Sequence, residues 1–440
     1  MTFLADVHRY ESQRTDNVEV RFRNLVSELT DKYTELWRRT PATPPLLGST
    51  VPRRRQRRNF RQANRLINWI VSEIKRYPDT ARERLRWRER VRESVRDFGE
   101  ECLGWPSGYR DLLFAEDFFE ATTTFVRSAR AFDSQLETGD LGQALRNVWI
   151  TNLLQSLLDR PVRTSPSVFS YSMLYPYTDN FLDDPQVPVE AKRAFNRRLG
   201  CRLAGESVEV GYPREGQVHR LVDTIEDQYS RREFPELFQS LLAIHRAQVR
   251  SLAQQRRRQL PESELWSISL EKGGASVLAD GYLAAGRLVS SEAAFCFGYG
   301  VFLQLLDDLQ DVRRDVAAGH ATLFSREAGV SPLDAITGRL HGFMCAVLES
   351  ASRFTAPRYD TTKDLIRRNC TSLLVTAVSD NPELFTFSFR RELETRWPFD
   401  LASLRKLRKR IDRRCDKTAR DLRRRRGIES LLDLLSPAEA

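Results

Sequence analysis

Helical periodicity is the feature that most limits what this chain can fold into. Over long stretches, apolar residues recur at the spacing that gives an α-helix one apolar face. Alternating runs bounded by hairpin turns, the pattern of half-buried strands, are scarce. Clusters of proline and glycine, for example at 41–52, 211–216 and 356–359, separate the periodic stretches into segments of helical length. The sequence therefore predicts an all-α fold.

The content of apolar and aromatic residues indicates that these helices can share a large core. Hydrophobic residues make up 41% of the 440 residues, with 24 Phe, 12 Tyr and 7 Trp, which argues against disorder although 30% of the residues are charged. We predict one large helical domain with extensions at both ends. Its parts are an arginine-rich helical region at 1–100, a core at 101–380 and a basic helical tail at 381–440.

The positive charge is concentrated in arginine runs. The chain has 70 Lys and Arg against 60 Asp and Glu, a net charge of +10, with runs at 53–58, 82–96, 256–258 and 405–426. Such runs suit an anionic membrane surface or nucleic acid. They lack interleaved aromatic residues and any recognised nucleic-acid module, so the simpler interpretation is solvated helix faces, and nucleic-acid binding is not expected. Peripheral membrane association through these runs and homo-oligomer formation stay open.

Cysteine usage and the N-terminal residues indicate the compartment. The six cysteines show no paired spacing, which is typical of a reducing environment. Charged residues follow at once after the first apolar ones, at Asp6, Arg9 and Glu11, so no signal peptide is expected. No run of about 18 or more uncharged apolar residues occurs, so no membrane-spanning helix is expected either. We expect a cytoplasmic protein, with a location at the membrane periphery as the alternative.

A first acidic motif lies just before a proline. At about 100° per residue, Asp179 and Asp183 are only about 40° apart on a helix, so both carboxylates can reach one cation. Asp184 follows directly before the break at Pro185. Like charges one helical turn apart repel unless a cation intervenes. An acidic helix end is the alternative interpretation of this stretch.

A second acidic motif is more specific. With the direction of Asp307 taken as 0° around a helix, Asp308 lies at about 100°, Asp311 at about 40°, Asp315 at about 80° and Gln304 at about 60°. One stripe thus carries four carboxylates and an amide. The remaining face is apolar and is expected to pack in the core: Val301, Leu305, Leu306, Leu309 and Val312. Partly buried carboxylates in such a helix require cations.

The ligand chemistry of the two motifs favours magnesium. Carboxylate and amide oxygens are hard ligands, and Mg²⁺ uses few of them because it keeps waters and shares its remaining positions with substrate phosphate. Histidine and cysteine are absent from both motifs, so zinc and iron fit poorly. We expect more than one Mg²⁺ ion, with Mn²⁺ as an acceptable substitute.

Together the motifs resemble those of the class I isoprenoid synthases, which comprise trans-prenyltransferases, squalene and phytoene synthases, and class I terpene synthases. Residues 307–311, Asp-Asp-Leu-Gln-Asp with Gln304 before them, are similar to the Asp-Asp-x-x-Asp motif of prenyltransferases. The stretch 304–315 also resembles the second motif of squalene and phytoene synthases. Residues 179–183 resemble the first aspartate motif, with Asn180 in place of its second aspartate. The resemblance implies a helical barrel in which two aspartate-bearing helices face each other.

Two further matches extend the resemblance over roughly residues 120–340. Lys272, followed by two glycines, resembles the element that supplies a diphosphate-binding lysine in prenyltransferases. Gly319 and His320 follow the second motif where those enzymes have a loop with lysine, so His320 is a departure.

Two departures narrow the implied function. The Gly-Gly-Lys-Arg element with which chain-elongating prenyltransferases hold isopentenyl diphosphate is absent, and so is the second metal motif of ordinary terpene cyclases. What remains resembles terpene synthases with prenyltransferase-like motifs. The expected activity is conversion of an allylic prenyl diphosphate to a terpene hydrocarbon or alcohol with release of pyrophosphate. A squalene- or phytoene-type condensing enzyme and a chain-elongating prenyltransferase are the alternatives.

The resemblance also implies roles for individual residues. Four aspartates are the implied principal ligands and catalytic residues: Asp179, Asp183, Asp307 and Asp311. Three more are implied as supporting metal ligands: Asp184, Asp308 and Asp315. The implied diphosphate-binding groups are Lys272, Gln304, Arg313, Arg314 and Arg127. For each arginine, a surface ion pair is the alternative.

Aromatic residues upstream of both motifs are expected to stabilise a carbocation and keep water away. Tyr175 and Phe302 are the principal candidates, with Tyr171, Phe295 and Tyr299 at similar places. Ordinary core packing explains such a stripe equally well.

Two hypotheses from other functional classes stay open. A basic membrane- or nucleic-acid-binding helical protein would explain the arginine runs but not the two acidic motifs. An inactive relative that serves as a scaffold would explain Asn180 and His320.

Overall fold

The structure, a computed structural model, describes residues 2–426 except 44, 46, 110–111, 113–114, 185, 213, 256–259, 352–353 and 355. The side chains of residues 2–16, 81, 183, 255 and 415–426 also lie outside the description. The arginine run at 256–258 is therefore outside the described residues.

The described residues form seventeen α-helices and no β-strand, which confirms the predicted all-α fold. In chain order the helices are α1 (Thr2–Arg39), α2 (Arg53–Lys75), α3 (Ala81–Phe98), α4 (Glu116–Phe132), α5 (Thr138–Leu157), α6 (Pro166–Asp183), α7 (Val189–Ala204), α8 (Glu215–Gln228), α9 (Pro235–Ser251), α10 (Glu262–Ala285), α11 (Ser290–Gln310), α12 (Val312–Ala318), α13 (Leu323–Glu327), α14 (Asp334–Ser350), α15 (Tyr359–Asp380), α16 (Phe387–Arg396) and α17 (Leu401–Arg426). Short π or 3-10 turns lie at Gly99–Leu103, Ser107–Tyr109, Leu252–Gln255 and Pro382–Leu384.

Local sequence determines where the helices of the site begin and end. The Ser165 side chain accepts a hydrogen bond from the Val168 amide at 3.3 Å and caps α6, whose first residue is Pro166. Helix α7 ends at Gly205, whose φ of 94° is a left-handed conformation that glycine adopts readily. The Ser165 cap therefore sets where α6 begins, and Gly205 sets where α7 ends; both helices form part of the wall of the site.

Helices α10 and α11 form the centre of the molecule and approach each other through glycine. A β-carbon added at Gly273 or at Gly300 would overlap the backbone carbonyl of the other residue. A β-carbon at Gly274 would overlap the ring of Phe297. The two helices can lie this close only because these positions have no side chain.

Helix α1 belongs to the same core. Its buried residues Phe22, Leu29, Tyr33 and Trp37 pack in the main hydrophobic cluster. The Tyr33 hydroxyl donates a hydrogen bond to the carbonyl oxygen of Ala294 in α11 at 2.5 Å. The first helix therefore packs directly against the centre of the molecule.

The remaining N-terminal helices pair with the C-terminal tail. Ala63 of α2, with Phe399 and Leu407, forms a second, smaller apolar cluster. The Asn59 amide donates hydrogen bonds to the carbonyl oxygens of Cys102 at 3.2 Å and Pro398 at 2.9 Å. The predicted division at residues 100 and 380 stays a prediction, and the packing links segments on both sides of it.

The arginine-rich helices carry surface ion pairs, among them Arg58 with Glu101 at 3.4 Å and Arg90 with Glu73 at 3.2 Å. Within the part of the chain that the structure describes, none of the helices is long and apolar enough to cross a bilayer. The five cysteines described there are free thiols.

Candidate active site

Five helices, α6, α7, α9, α10 and α11, enclose a cleft of about 140 Å³. Asp179 of α6, Lys272 of α10 and Gln304 of α11 contribute polar groups to its lining. Six aliphatic residues line it as well: Leu174, Leu182, Leu199, Leu203, Leu241 and Ile244. The cleft therefore combines a charged surface with an apolar one.

Hydrogen bonds fix the register of α6 against α10. The Tyr175 hydroxyl lies 2.6 Å from Ser276 Oγ, and the Tyr171 hydroxyl donates to the Ser276 carbonyl oxygen at 3.1 Å. One turn beyond Tyr175 on α6 lies Asp179, and one turn before Ser276 on α10 lies Lys272. The antiparallel register thus brings the predicted aspartate and the predicted lysine to the same cleft.

The close approach at Gly273 and Gly300 positions the next pair. Lys272 precedes Gly273, and the β-carbon of Gln304 lies against Gly273. The Gln304 side-chain amide donates to Asp308 Oδ1 at 2.9 Å, and Ser269 Oγ lies 3.4 Å from Asp308 Oδ2. Asp308 is buried, and this burial raises its pKa to about 7 in spite of the hydrogen bond from Gln304.

The aspartate stripe, defined as Asp307, Asp308, Asp311 and Asp315, faces Lys272. Dense surrounding protein raises the pKa of Asp307, and the charge of Asp311 raises it further. Burial, and then Asp311, raise the pKa of Asp315 to about 7. Lys272 opposes the shift at Asp307, Asp308 and Asp315, so its positive charge acts on all three carboxyl groups. Asp307 is nevertheless exposed to solvent.

The rest of this helix packs as expected. All five predicted apolar residues are buried: Val301, Leu305, Leu306, Leu309 and Val312. The backbone departs from regular helix at Asp311, with φ −91° and ψ 1°, yet the hydrogen bonds from Asp311 N to Asp307 O and from Asp315 N to Asp311 O are both 2.9 Å. The stripe therefore continues from α11 into α12.

The other residues of the first motif divide between different surroundings. Asn180 points to α5, where its amide donates to Asp140 Oδ1 at 2.8 Å. Asp184 is the capping residue directly after α6 and accepts a hydrogen bond from the Gln186 amide at 2.8 Å. Asp183 is the last residue of α6, and its side chain lies outside the described part of the chain. Among the described acidic side chains of this motif, Asp179 lines the cleft.

The predicted arginines occupy exposed positions. Arg313 Nε donates to Glu383 Oε1 at 2.7 Å, and Arg314 forms an ion pair with Asp311. Arg127 lies on the exposed side of α4. His320 Nδ1 lies 4.0 Å from Asp315 Oδ1. Arg313 and Arg314 therefore have the surface ion pairs that were the alternative to diphosphate binding.

The aromatic residues divide in a similar way. Tyr171 and Tyr175 line the cleft and are connected through their hydroxyl groups at 3.2 Å. Phe295, Tyr299 and Phe302 are buried in the main cluster and do not belong to the cleft lining. The tyrosines of α6 are thus the aromatic groups that a ligand in this cleft would meet.

Several lining residues were not found by sequence analysis. Ser276 links α10 to both tyrosines, and Asn196 of α7 and His245 of α9 close one side of the cleft. Arg146 of α5 lowers the pKa of Asp307 by its charge. These residues lie outside the two acidic motifs and come together only through helix packing.

The stripe supplies hard oxygen ligands, and burial together with the charge of Asp311 raises the pKa values of Asp307 and Asp315. Among the described residues, however, no three His, Cys, Asp or Glu side chains are arranged to hold one ion. Mg²⁺ commonly uses one or two carboxylates and takes its other oxygens from water and substrate phosphate. The carboxylates present fit that mode of binding.

The lining offers both polar groups and hydrocarbon to a ligand, in a cleft of about 140 Å³ that is smaller than the roughly 300–1,000 Å³ of most small-molecule sites. Asp179, Lys272 and Gln304 provide polar contacts, and the leucines provide apolar ones. The aspartate stripe does not line the cleft and is connected to it through the hydrogen bond from Gln304 to Asp308. Comparison with protein-family models, with curated proteins and with solved structures gives no match.

Proposed function

We propose that this chain is a Mg²⁺-dependent enzyme of the class I isoprenoid synthase type, with the helical barrel of that family. It ionises an allylic prenyl diphosphate and converts it to a terpene hydrocarbon or alcohol. The observation that supports this proposal best is the cleft in which Asp179, Lys272 and Gln304 from three helices meet an apolar lining, with Gln304 hydrogen-bonded to Asp308 of the aspartate stripe. A substrate with a charged diphosphate and a hydrocarbon chain requires both surfaces.

The proposed metal site consists of Asp307 and Asp311, supported by Asp308 and Asp315, with Asp179 on the facing helix. Mg²⁺ bound there would stabilise the negative charge that develops on the leaving diphosphate. Lys272 is proposed to contact the diphosphate oxygens, because it lines the cleft and its positive charge acts on three carboxyl groups of the stripe. Substrate would thus be held by its head group at the charged side of the cleft.

The remaining residues are proposed to control the carbocation. When the bond between the allylic carbon and oxygen breaks, the electron pair leaves with pyrophosphate and the carbon chain becomes positively charged. The aliphatic lining excludes water, and the faces of Tyr171 and Tyr175 can stabilise the cation. Loss of a proton then gives a hydrocarbon, and addition of a water molecule with loss of its proton gives an alcohol.

Product analysis tests the proposal. The purified protein is incubated with Mg²⁺ and prenyl diphosphates of increasing length, with and without isotope-labelled isopentenyl diphosphate. We expect pyrophosphate and an unlabelled hydrocarbon or alcohol from a single substrate. Label in a longer diphosphate would assign chain elongation instead, and a doubled hydrocarbon would assign a squalene-type condensation. Absence of turnover with every substrate would contradict the proposal.

A further inference from the structure

A second concave surface lies on the outer side of the cleft wall. This basic groove, of about 1050 Å³, runs between α7 and α9. Four basic residues contribute to its lining: Lys192, Arg193, Arg197 and Arg246. Glu206 is the acidic residue in that lining. The groove is large enough for a ligand of the size of a lipid.

Helix α7 divides its basic residues between two faces. On one face, Arg198 pairs with Glu215 at 2.6 Å and Arg202 with Glu226 at 2.5 Å, both on α8. On the groove face, Lys192, Arg193 and Arg197 have no ion-pair partner among the residues that the structure describes. An ion pair with α8 stabilises the helix contact, whereas three unneutralised cations on one wall of a groove attract an external anion.

The groove also has an apolar part. Val189 and Leu252 line it, and Val249 is 40% exposed there. An apolar side chain exposed beside cations fits an amphiphile better than a simple anion, because hydrocarbon can cover the valine while phosphate contacts the arginines.

The floor of the groove contains a polar atom without a partner. Asn196 is only 6% exposed, and its Oδ1 has no hydrogen-bond partner within the described residues. His245 lies beside Asn196, and a β-carbon added at Gly200 would lie 3.1 Å from Nε2 of His245. Asn196 and His245 line both the groove and the cleft, so one layer of side chains separates the two.

We propose that the basic groove binds an anionic phospholipid of a membrane surface. The lipid phosphate contacts Lys192, Arg193 and Arg197, and the acyl chains cover Val189, Val249 and Leu252. This site is different from the arginine runs of the sequence and does not depend on the function of the cleft. It would place the cleft next to a bilayer.

Co-sedimentation of the full-length protein with vesicles tests this proposal. The vesicles contain phosphatidylcholine alone or phosphatidylcholine mixed with phosphatidylglycerol. We expect binding to the anionic vesicles, and the triple variant Lys192→Glu, Arg193→Glu, Arg197→Glu should reduce it roughly tenfold or more, since each basic residue near an anionic surface contributes substantially. The matched control is Arg54→Glu, Arg57→Glu, Arg61→Glu on the exposed face of α2, which changes the net charge by the same amount. This control should reduce binding less than about threefold.

Two further measurements separate the lipid from other anions. Val249→Gln leaves the charge unchanged and should weaken vesicle binding severalfold if hydrocarbon covers this residue. Pyrophosphate titration of the groove variant should match wild type. Three results would each overturn the proposal, because each would indicate non-specific binding or a soluble anion instead. They are equal losses in the two triple variants, unchanged vesicle binding of Val249→Gln, and loss of pyrophosphate affinity in the groove variant.

Discussion

Lys272 contributes a positive charge to the lining of the cleft. Its ammonium group opposes the raised pKa values of Asp307, Asp308 and Asp315 from the facing helix. We expect Lys272→Ala to weaken pyrophosphate binding by about tenfold or more and Lys272→Arg to weaken it less, because a hydrogen bond to a charged group contributes roughly 1.5–3 kcal/mol. Titration with pyrophosphate in the presence of Mg²⁺ measures the difference. Lys75→Ala, at an exposed position of α2, is the control. Equal affinities for wild type and both Lys272 variants would exclude the residue from the site.

Asp280 is a buried carboxylic acid on α10, one turn after Ser276 of the cleft lining. Asn147 and Thr151 donate hydrogen bonds to its Oδ1 at 2.9 and 3.0 Å, while its Oδ2 is buried without a partner among the described residues. Burial raises its pKa from 3.8 to about 7. The titratable groups facing it are Tyr171, Tyr175 and Cys296, and the pKa of each is raised far enough to keep it protonated in this range.

The raised pKa gives Asp280 a defined effect on stability. The folded state binds its proton more tightly than the unfolded state, so its stabilising effect is complete below about pH 4 and is lost as the pH rises to about 7. Asp280→Asn removes this titration. The free energy of unfolding of wild type relative to Asp280→Asn should therefore fall by a few kcal/mol between these pH values, since one pKa unit corresponds to about 1.4 kcal/mol. Urea denaturation at a series of pH values measures it.

Asp133 provides a control of opposite sign. Burial raises its pKa, but the hydrogen bond from Tyr177 and further contacts outweigh burial and lower it overall. Its stabilising effect is lost as the pH falls, so wild type relative to Asp133→Asn should lose stability towards acid. A flat difference for Asp280→Asn would show that the carboxyl titrates normally.

At the scale of helices, the contact between α10 and α11 determines the site. Gly273 and Gly300 let the two backbones touch, and this contact holds Lys272 opposite the aspartate stripe. We expect Gly300→Ala to destabilise the protein by about 1–3 kcal/mol or more, because overpacking forces the helices apart. The same substitution should also weaken pyrophosphate binding, because Lys272 on α10 would move away from the aspartate stripe. Thermal denaturation and pyrophosphate titration measure the two effects.

Gly142 of α5 is the matched control for this helix contact. A β-carbon there has open space around it, so Gly142→Ala should be neutral or stabilise by up to about 1 kcal/mol through helix propensity. If Gly300→Ala behaved like Gly142→Ala, close approach of α10 and α11 would not be required.

The helix arrangement around the site could be predicted from the sequence only in part. The aspartate stripe and its apolar opposite face follow from the angle per residue, so they are visible in one segment of sequence. The resemblance implied that the two aspartate-bearing helices face each other and that Lys272 binds diphosphate. Asp179 and Lys272 both line the cleft, whereas the aspartate stripe does not. Asn196 and His245 could not be found, because their place in the lining depends on how α7 and α9 pack. The buried position of Phe302 is equally a matter of packing.

At the scale of the whole molecule, the first helix takes part in the structure that supports the site. Tyr33 and Trp37 of α1 pack against α11 and α14, and a β-carbon at Gly298 would overlap the Tyr33 ring. The helix that carries the aspartate stripe is thus supported on one side by α10 and on another by α1. A ligand that stabilises this helix should stabilise the whole cooperative core, because these helices share one apolar cluster.

This coupling predicts a change in thermal stability on ligand binding. Mg²⁺ and pyrophosphate together should raise the melting temperature more than the sum of their separate effects, since a ligand that binds only the folded state stabilises it by mass action. Asp307→Ala and Asp311→Ala should abolish this increase and also turnover. They should stay folded by circular dichroism, because each removes like-charge repulsion and opens no apolar cavity. Asp360→Ala, at an exposed position of α15, should behave as wild type. A full increase in melting temperature in either stripe variant would mean that pyrophosphate binds without the stripe, and the proposed metal site would be wrong.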